Sequence, residues 1–243
     1  MRLVKQYGLP YSGTNCLRWI LENNYRCRVL SNILGYKHGP PSSGHSFEPE
    51  TWYPPELEPA ERIFMKALPS VRSNKWPEGR VAKKIVTAGF RGLRYVLTIR
   101  DPYSWIWSVC HHKKLGLTTI SEVSIQVLTG YWAQRMDEYN DFAATHPRRT
   151  VVIDHEALTD ADELRKAFAR LRLISTGSLI QLPRRRVLQS GDRPSRLSNE
   201  AFDPGVYSER HYRRGFTRER LDLINSVLEG NLRGFEPWEE LAA

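Results

Sequence analysis

The segment RLVKQYGLPYSGTNCLRWILENNY, residues 2–25, puts the tightest limit on what this chain can fold into. Residues 2–8 suit a buried strand, residues 9–13 a tight turn rich in small residues, and Leu17, Ile20 and Leu21 then recur at helical spacing. A strand that passes through a short turn straight into a helix is the opening half of a parallel crossover unit. The alternation returns along the chain. RVLSNILGYKHG (28–39) reads as a second strand, stopped by Gly39-Pro40-Pro41, and RYVLTIRDP (94–102) as the clearest one, ended by Asp-Pro. A helix opens at YSWIWSVCHH, a longer one follows near 121–144, and RTVVIDHEAL (149–158) is a further buried strand. TDADELRKAFARL is an amphipathic helix with acids in its first turn, and TRERLDLINSVLEGNL (217–232) is the last helix. Strands alternating with helices predict an α/β fold whose parallel sheet is covered on both faces.

A chain of 243 residues, 40% hydrophobic, can bury a core of its own. No compositional break, repeat or low-complexity tract divides it, so residues 1–243 are expected to form a single domain. Residues 40–77, rich in Pro, Ser, Glu and Trp, form a long irregular excursion of the kind that serves as a lid over an acceptor. No apolar run reaches signal-peptide or membrane-span length, so no membrane span is expected. Cys16, Cys27 and Cys110 are an odd, widely spaced set without a CxxC, which argues against a disulfide framework or a structural zinc and fits the cytoplasm.

Net charge is +9, which favours anionic partners. Much of the excess lies in residues 184–220, with ten arginines against five acids, although the run LPRRRVL there reads as a solvated loop.

Gly8 and Gly13 have the spacing of the loop that binds nucleoside triphosphates, GxxxxGK[ST], but Thr14 and Asn15 stand where its Lys and Ser/Thr would be. Backbone N–H groups from Ser12 to Asn15 can still wrap a phosphate at the positive end of the following helix. The machinery for a metal-chelated triphosphate is gone. An ordinary strand–turn–helix junction would use Ser and Gly in the same places as cap and turn, so the loop needs a second witness. LTIRDPYSWIWSV supplies it: Arg100 closes a strand, and Ser108 follows eight residues later, about two helical turns on. A strand-end guanidinium and a hydroxyl facing one cleft make a clamp for a second anionic group.

With these two elements the sequence resembles the sulfotransferases that use 3′-phosphoadenosine 5′-phosphosulfate. Their 5′ loop reads Pro-Lys/Arg-Ser-Gly-Thr-Thr; here it is Pro10-Tyr11-Ser12-Gly13-Thr14-Asn15. Their 3′-phosphate element is a strand ending in Arg, often Arg-Asp-Pro, with Ser eight residues on, matched by Arg100 and Ser108. His155-Glu156-Ala157-Leu158 partly matches a later Tyr-Glu-Asp-Leu, where an aromatic lies near the adenine. Arg213-Arg214-Gly215 stands for an Arg-Lys-Gly on the 3′-phosphate. The resemblance implies a three-layer domain of P-loop-like sulfotransferase architecture. It also implies transfer of a sulfuryl group to a hydroxyl or amine of a small-molecule or carbohydrate acceptor. The transferring group carries less charge than a phosphoryl, so no metal is demanded. Adenosine 3′,5′-bisphosphate would be the product.

Sulfuryl transfer needs a cation for the leaving phosphate, a positive group near the transferring oxygens, and a base for the acceptor's proton. Members of the family often place the last two in a Lys-x-His run at a strand end. In this chain Lys37-His38 are adjacent and closer to the loop, which makes His38 the candidate base and Lys37 the candidate stabiliser. Tyr11 replaces the family's basic loop residue and brings no charge, with Lys37 the first candidate to supply it and Arg18 the second. The run His111-His112-Lys113-Lys114 lacks metal-ligand spacing and reads as a helix-end basic cluster. Trp52, Trp76, Trp105, Trp107 and Trp132 are candidates for lining an acceptor pocket, with core packing preferred for Trp132. Asp101 is expected to order the strand exit. Two competing readings remain: a P-loop kinase-like phosphotransferase, against which Thr14-Asn15 speak, and a basic nucleic-acid-binding protein, which leaves the Arg100–Ser108 spacing unexplained. No nucleic-acid partner is expected.

Overall fold

The computed structural model describes residues 2–30, 37–39, 41, 92–112, 116–117, 120–188, 196–201, 212 and 215–231. The 40–77 excursion apart from position 41, and with it Trp52 and Trp76, lies outside these residues, as do Arg213 and Arg214.

Four parallel strands form the centre: β1 (Arg2–Gly8), β2 (Cys27–Leu30), β3 (Leu93–Ile99) and β4 (Thr150–Asp154), in the order β2-β1-β3-β4. The helices are α1 (Thr14–Asn24), α2 (Pro102–His112), α3 (Glu122–Thr145), α4 (Ala161–Arg170) and α5 (Arg218–Asn231). A 3-10 turn, Glu156–Thr159, links β4 to α4.

Alternation along each strand sends side chains to opposite faces and so builds two cores. Val4, Val96, Val151 and Ile153 pack with Leu17, Ile20 and Leu21 of α1 and Leu164 and Phe168 of α4. Tyr7, Tyr95 and Leu97 pack on the other face with Trp105 and Ile106 of α2, Leu128 and Phe142 of α3, and Ile224 of α5. The result is a three-layer α/β arrangement, as the alternation predicts.

Strand order positions the site. From β1 the chain crosses through α1 to β2 on one side, while β3 pairs with β1 on the other. The loops leaving β1 and β3 therefore diverge over opposite faces, and the crevice between them is where open α/β sheets bind ligands. The β1 loop and Arg100 flank that crevice.

Two expectations are corrected. The second strand ends at Leu30, and Lys37–Gly39 form a turn, so Lys37 and His38 do not continue an unbroken strand. The turn reaches the sheet edge by its own bond: Gly8 N–H donates to the Lys37 carbonyl at 2.9 Å. LPRRRVL is not a loop, because Arg185–Leu188 form β5, antiparallel to β6 (Arg196–Ala201) in a separate two-stranded sheet. The arginines are nonetheless exposed, Arg186 pairing with Glu200 at 3.0 Å. An irregularity between Arg185 and Val187 breaks the period-two pattern by which a strand is recognised. Among the described residues no helix is long and apolar enough to cross a membrane. Cys16, Cys27 and Cys110 are free and buried, and burial pushes each thiol up to about 12.

Candidate anion-binding site at the carboxyl edge of the sheet

The β1 loop is drawn tight by one residue of its own and by two donors from elements far away in sequence. Leu9 O accepts from Ser12, both N–H (3.2 Å) and Oγ (2.7 Å). Trp105 Nε1 donates to Pro10 O at 2.7 Å, and Arg100 Nη1 to Tyr11 O at 2.8 Å. Three successive carbonyls, the negative ends of their peptide dipoles, are thus held by protein donors. The chain then turns through Tyr11 at φ 64° and Gly13 at φ 80° into α1. Gln6 Nε2 ties the start of that helix to β1 through Thr14 O at 3.0 Å.

Glycine is required at both ends of this loop. A Cβ on Gly8 would lie 2.7 Å from Ser12 Oγ and from Thr14 Cγ2 and 3.0 Å from Thr98 O, and one on Gly13 would lie 2.3 Å from Leu158 Cδ1 and 3.0 Å from His155 Cδ2. The turn after β4 therefore packs directly on the loop, and His155 is brought to it. His155 N–H also bonds Ile99 O at 2.8 Å, beside Arg100.

Helix α1 begins without a side-chain cap and with no acid in its first turn. By contrast, Ser121 caps α3 through Ser124 N–H, and Asp160 caps α4 through the N–H groups of Asp162 and Glu163. The first turn of any helix carries N–H groups with no intrahelical acceptor and a positive dipole end. At α1 that end also faces a cation, because Lys37, buried, donates from Nζ to Asn15 Oδ1 at 2.6 Å. Arg18, the other candidate to replace the family's loop cation, bonds Glu22 within its own helix at 3.2 Å.

The second element is assembled differently from the spacing argument. Arg100 is buried, and its Nε donates to Ser104 Oγ at 2.9 Å, so a hydroxyl one turn before Ser108 meets its guanidinium. Ser108, also buried, lies four residues further on α2, on the same helical face. Ser104 was missed because the eight-residue spacing points past it; Asp101 gives the local signal, since it accepts from Ser104 N–H at 2.9 Å as an N-capping residue does, and from its hydroxyl. Asp101 thus orders the strand exit. Arg100 joins the loop itself through Tyr11 O, so loop and strand-end arginine form one structure. Not every N–H from Ser12 to Asn15 is available, since that of Ser12 closes the turn onto Leu9.

The remaining candidates scatter. Trp105 and Trp132 are both buried, Trp132 as core packing predicts, and their indole N–H groups hold Pro10 O and Arg100 O, the latter at 2.8 Å. Gly215 packs near Trp107, with Leu117 Cδ1 3.0 Å and Trp107 Cδ1 3.3 Å from where its Cβ would be. His111 is exposed and stacks on Trp107, ring centroids 5.0 Å apart.

His38 is pinned to the end of β1, its Nδ1 2.6 Å from Gly8 O, and its own carbonyl lies 3.4 Å from Tyr131 Oη. A carbonyl can only accept, so Nδ1 donates its proton in this contact. Desolvation, then Lys37, hold His38 well below 6.5, with Lys5 adding and the Gly8 and Leu9 carbonyls opposing. Desolvation, then Arg100, lower His155 to about 3. Burial raises the Tyr11 hydroxyl, which stays protonated and uncharged.

Both histidines bind a proton less readily folded than unfolded, so between about 3 and 6.5 the unfolded chain holds more protons. The stability they contribute is complete above about 6.5 and is lost as pH falls toward about 3. Urea titrations at about pH 7.5 and 5 are expected to show a lower midpoint in acid, with a smaller drop in His155→Gln. Equal drops in both proteins would remove His155 from this effect.

The chain matches no model of a known protein family, and none of the curated proteins compared with it is similar to it.

Proposed function

We propose that the chain is a sulfotransferase that uses 3′-phosphoadenosine 5′-phosphosulfate, and that residues 11–15 hold the 5′-phosphate end of this cosubstrate. The observation that carries this reading is the convergence of positive potential on one loop at the topological switch point. The uncapped N-terminus of α1, the Lys37 ammonium at Asn15 and the Arg100 guanidinium at Tyr11 O all meet there. Gly13, with no room for a Cβ, keeps main chain rather than side chain at the turn. This donor set suits a phosphate. Its sequence, Pro10-Tyr11-Ser12-Gly13-Thr14-Asn15, supports the sulfotransferase reading over other nucleotide chemistries.

The reaction breaks the sulfur–oxygen bond to the 5′-phosphate as the acceptor's oxygen or nitrogen bonds to sulfur, and the acceptor gives up a proton. Lys37 supplies the charge that Tyr11 lacks and steadies the leaving phosphate. His38 Nε2, unprotonated at neutral pH, takes the proton. Arg100, Ser104 and Ser108 serve the 3′-phosphate, and His155 closes the loop from the β4 side. The acceptor is a small molecule or carbohydrate bearing a hydroxyl or amine.

Lys37→Met is expected to weaken adenosine 3′,5′-bisphosphate about tenfold by calorimetry, the value of one charge-assisted hydrogen bond. Adding Tyr11→Lys to that variant is expected to restore most of the affinity, because the cation returns at the family's own position. Unchanged affinity in Lys37→Met would overturn the assignment of Lys37.

A further inference from the structure

We infer that the opposite, amino-terminal edge of the sheet carries a second anion-binding site, for a compact ligand bearing several phosphate or sulfate groups. A cavity of about 430 Å³ opens there. Among the described residues it is lined by Arg94, Arg148, Arg149, Arg170 and Arg172, and by no carboxylate. The five come from three separate segments: the start of β3, the turn before β4, and the end of α4 with the second residue past it. Parallel pairing joins the first two, since Tyr95 N–H donates to Arg149 O at 2.8 Å.

Part of this cluster has ordinary employment. Arg170 and Arg172 suit the negative end of the α4 dipole, and Arg94 Nε caps that helix through Leu171 O at 3.1 Å. Helix capping explains neither Arg148 nor Arg149, nor why all five share one hollow. Burial and then the charges of Arg2, Arg149 and Arg172 lower the proton affinity of Arg94, so mutual repulsion is felt there. Guanidinium groups nevertheless stay charged in proteins, and the hollow is strongly positive. Its size falls in the range of small-molecule sites, and its concavity suits a compact polyanion better than a strand of nucleic acid. Arginine forks match phosphate and sulfate oxygens two at a time.

The site is separate from the β1 loop. Arg100 lies six residues beyond Arg94 along extended chain, a span of roughly 20 Å.

Arg172 provides a variant that spares the fold. It sits at φ 54°, with its N–H on Ala169 O and that of Leu173 on Phe168 O, the hydrogen-bond pattern of a Schellman cap whose left-handed position favours glycine. Arg172→Gly removes the charge and relieves the backbone. Arg148→Gln acts on an exposed side chain.

Inorganic tripolyphosphate and inositol hexakisphosphate are the probes, titrated calorimetrically into the full chain at low salt. Both are expected to bind, and the double variant Arg148→Gln/Arg172→Gly is expected to bind at least about tenfold more weakly while unfolding at the same or a higher temperature. The double variant should leave the affinity of adenosine 3′,5′-bisphosphate for the other edge unchanged, since neither arginine lies at the β1 loop. Failure of both probes to bind would overturn the proposal, as would equal binding to the double variant. Binding of single-stranded or duplex nucleic acid with no binding of either compact probe would also overturn it.

Discussion

Gly13→Val is expected to lower the unfolding free energy by about 2–5 kcal/mol, a large effect for a single change in the β1 loop. Two costs add. A β-branched residue held at φ 80° is strained by about 1–2 kcal/mol, and its Cβ would enter the space of Leu158 Cδ1, 2.3 Å away, where overpacking costs about 1–3 kcal/mol more. The neighbours cannot easily yield, since Leu158 is buried and His155 is anchored to Ile99. Gly130, within α3, gives the contrast: among the described residues, no heavy atom beyond its chain neighbours and its own helix backbone lies within 4 Å of its Cβ position. Gly130→Ala should therefore stabilise the protein by about 0.5–1 kcal/mol, as alanine does in a helix. Urea unfolding of both variants measures the difference directly. A Gly13→Val protein as stable as the wild type would mean that the loop is not packed against the β4 turn as described.

The second large effect is kinetic. His38→Gln is expected to lower kcat for cosubstrate conversion by about 100-fold or more, the usual range for losing a general base. Affinity for adenosine 3′,5′-bisphosphate should change little, because a glutamine amide can replace Nδ1 as donor to Gly8 O and keep the 37–39 turn in place. With His38 held well below 6.5, kcat of the wild type should be flat from about pH 6.5 to 8, since the base is already unprotonated throughout. The measurement is conversion in the presence of a panel of phenols, sugars and amines. Turnover within threefold of wild type would leave His38 as an anchor for Lys37 and nothing more.

How far the sequence could be read depended on the range of the interaction. Strands β1 and β3 and helices α1, α3 and α4 are local patterns of apolar residues, and the three-layer arrangement follows from their alternation. The β1 loop was legible because Gly13 answers a local demand, the positive φ of the turn. The contacts that were not legible are non-local. Lys37 reaches Asn15 only because the turn at 37–39 is bonded to Gly8, a contact that neither segment signals alone. Trp105 looks like a platform residue in the sequence and becomes a hydrogen-bond donor in the fold, its ring buried and its N–H group spent on a backbone carbonyl. The Arg100 clamp was placed on Ser108 by counting residues, whereas the N-terminus of α2, fixed by Asp101, presents Ser104 first. The arginine hollow has no linear motif at all, since Arg94 and Arg172 meet only after β3 and α4 have packed.

The central claim is that one loop, its helix N-terminus and two cations together recognise a doubly phosphorylated adenosine without a metal. Its most direct test is thermal unfolding with adenosine 3′,5′-bisphosphate in chelator, set beside ATP with Mg²⁺. At about 100 times its Kd the bisphosphate should add about 2.7 kcal/mol to the stability of the wild type, much less to Arg100→Met, and ATP with Mg²⁺ should add little. Stabilisation by ATP with Mg²⁺ alone, and none by the bisphosphate, would contradict the account and turn the loop toward phosphoryl chemistry.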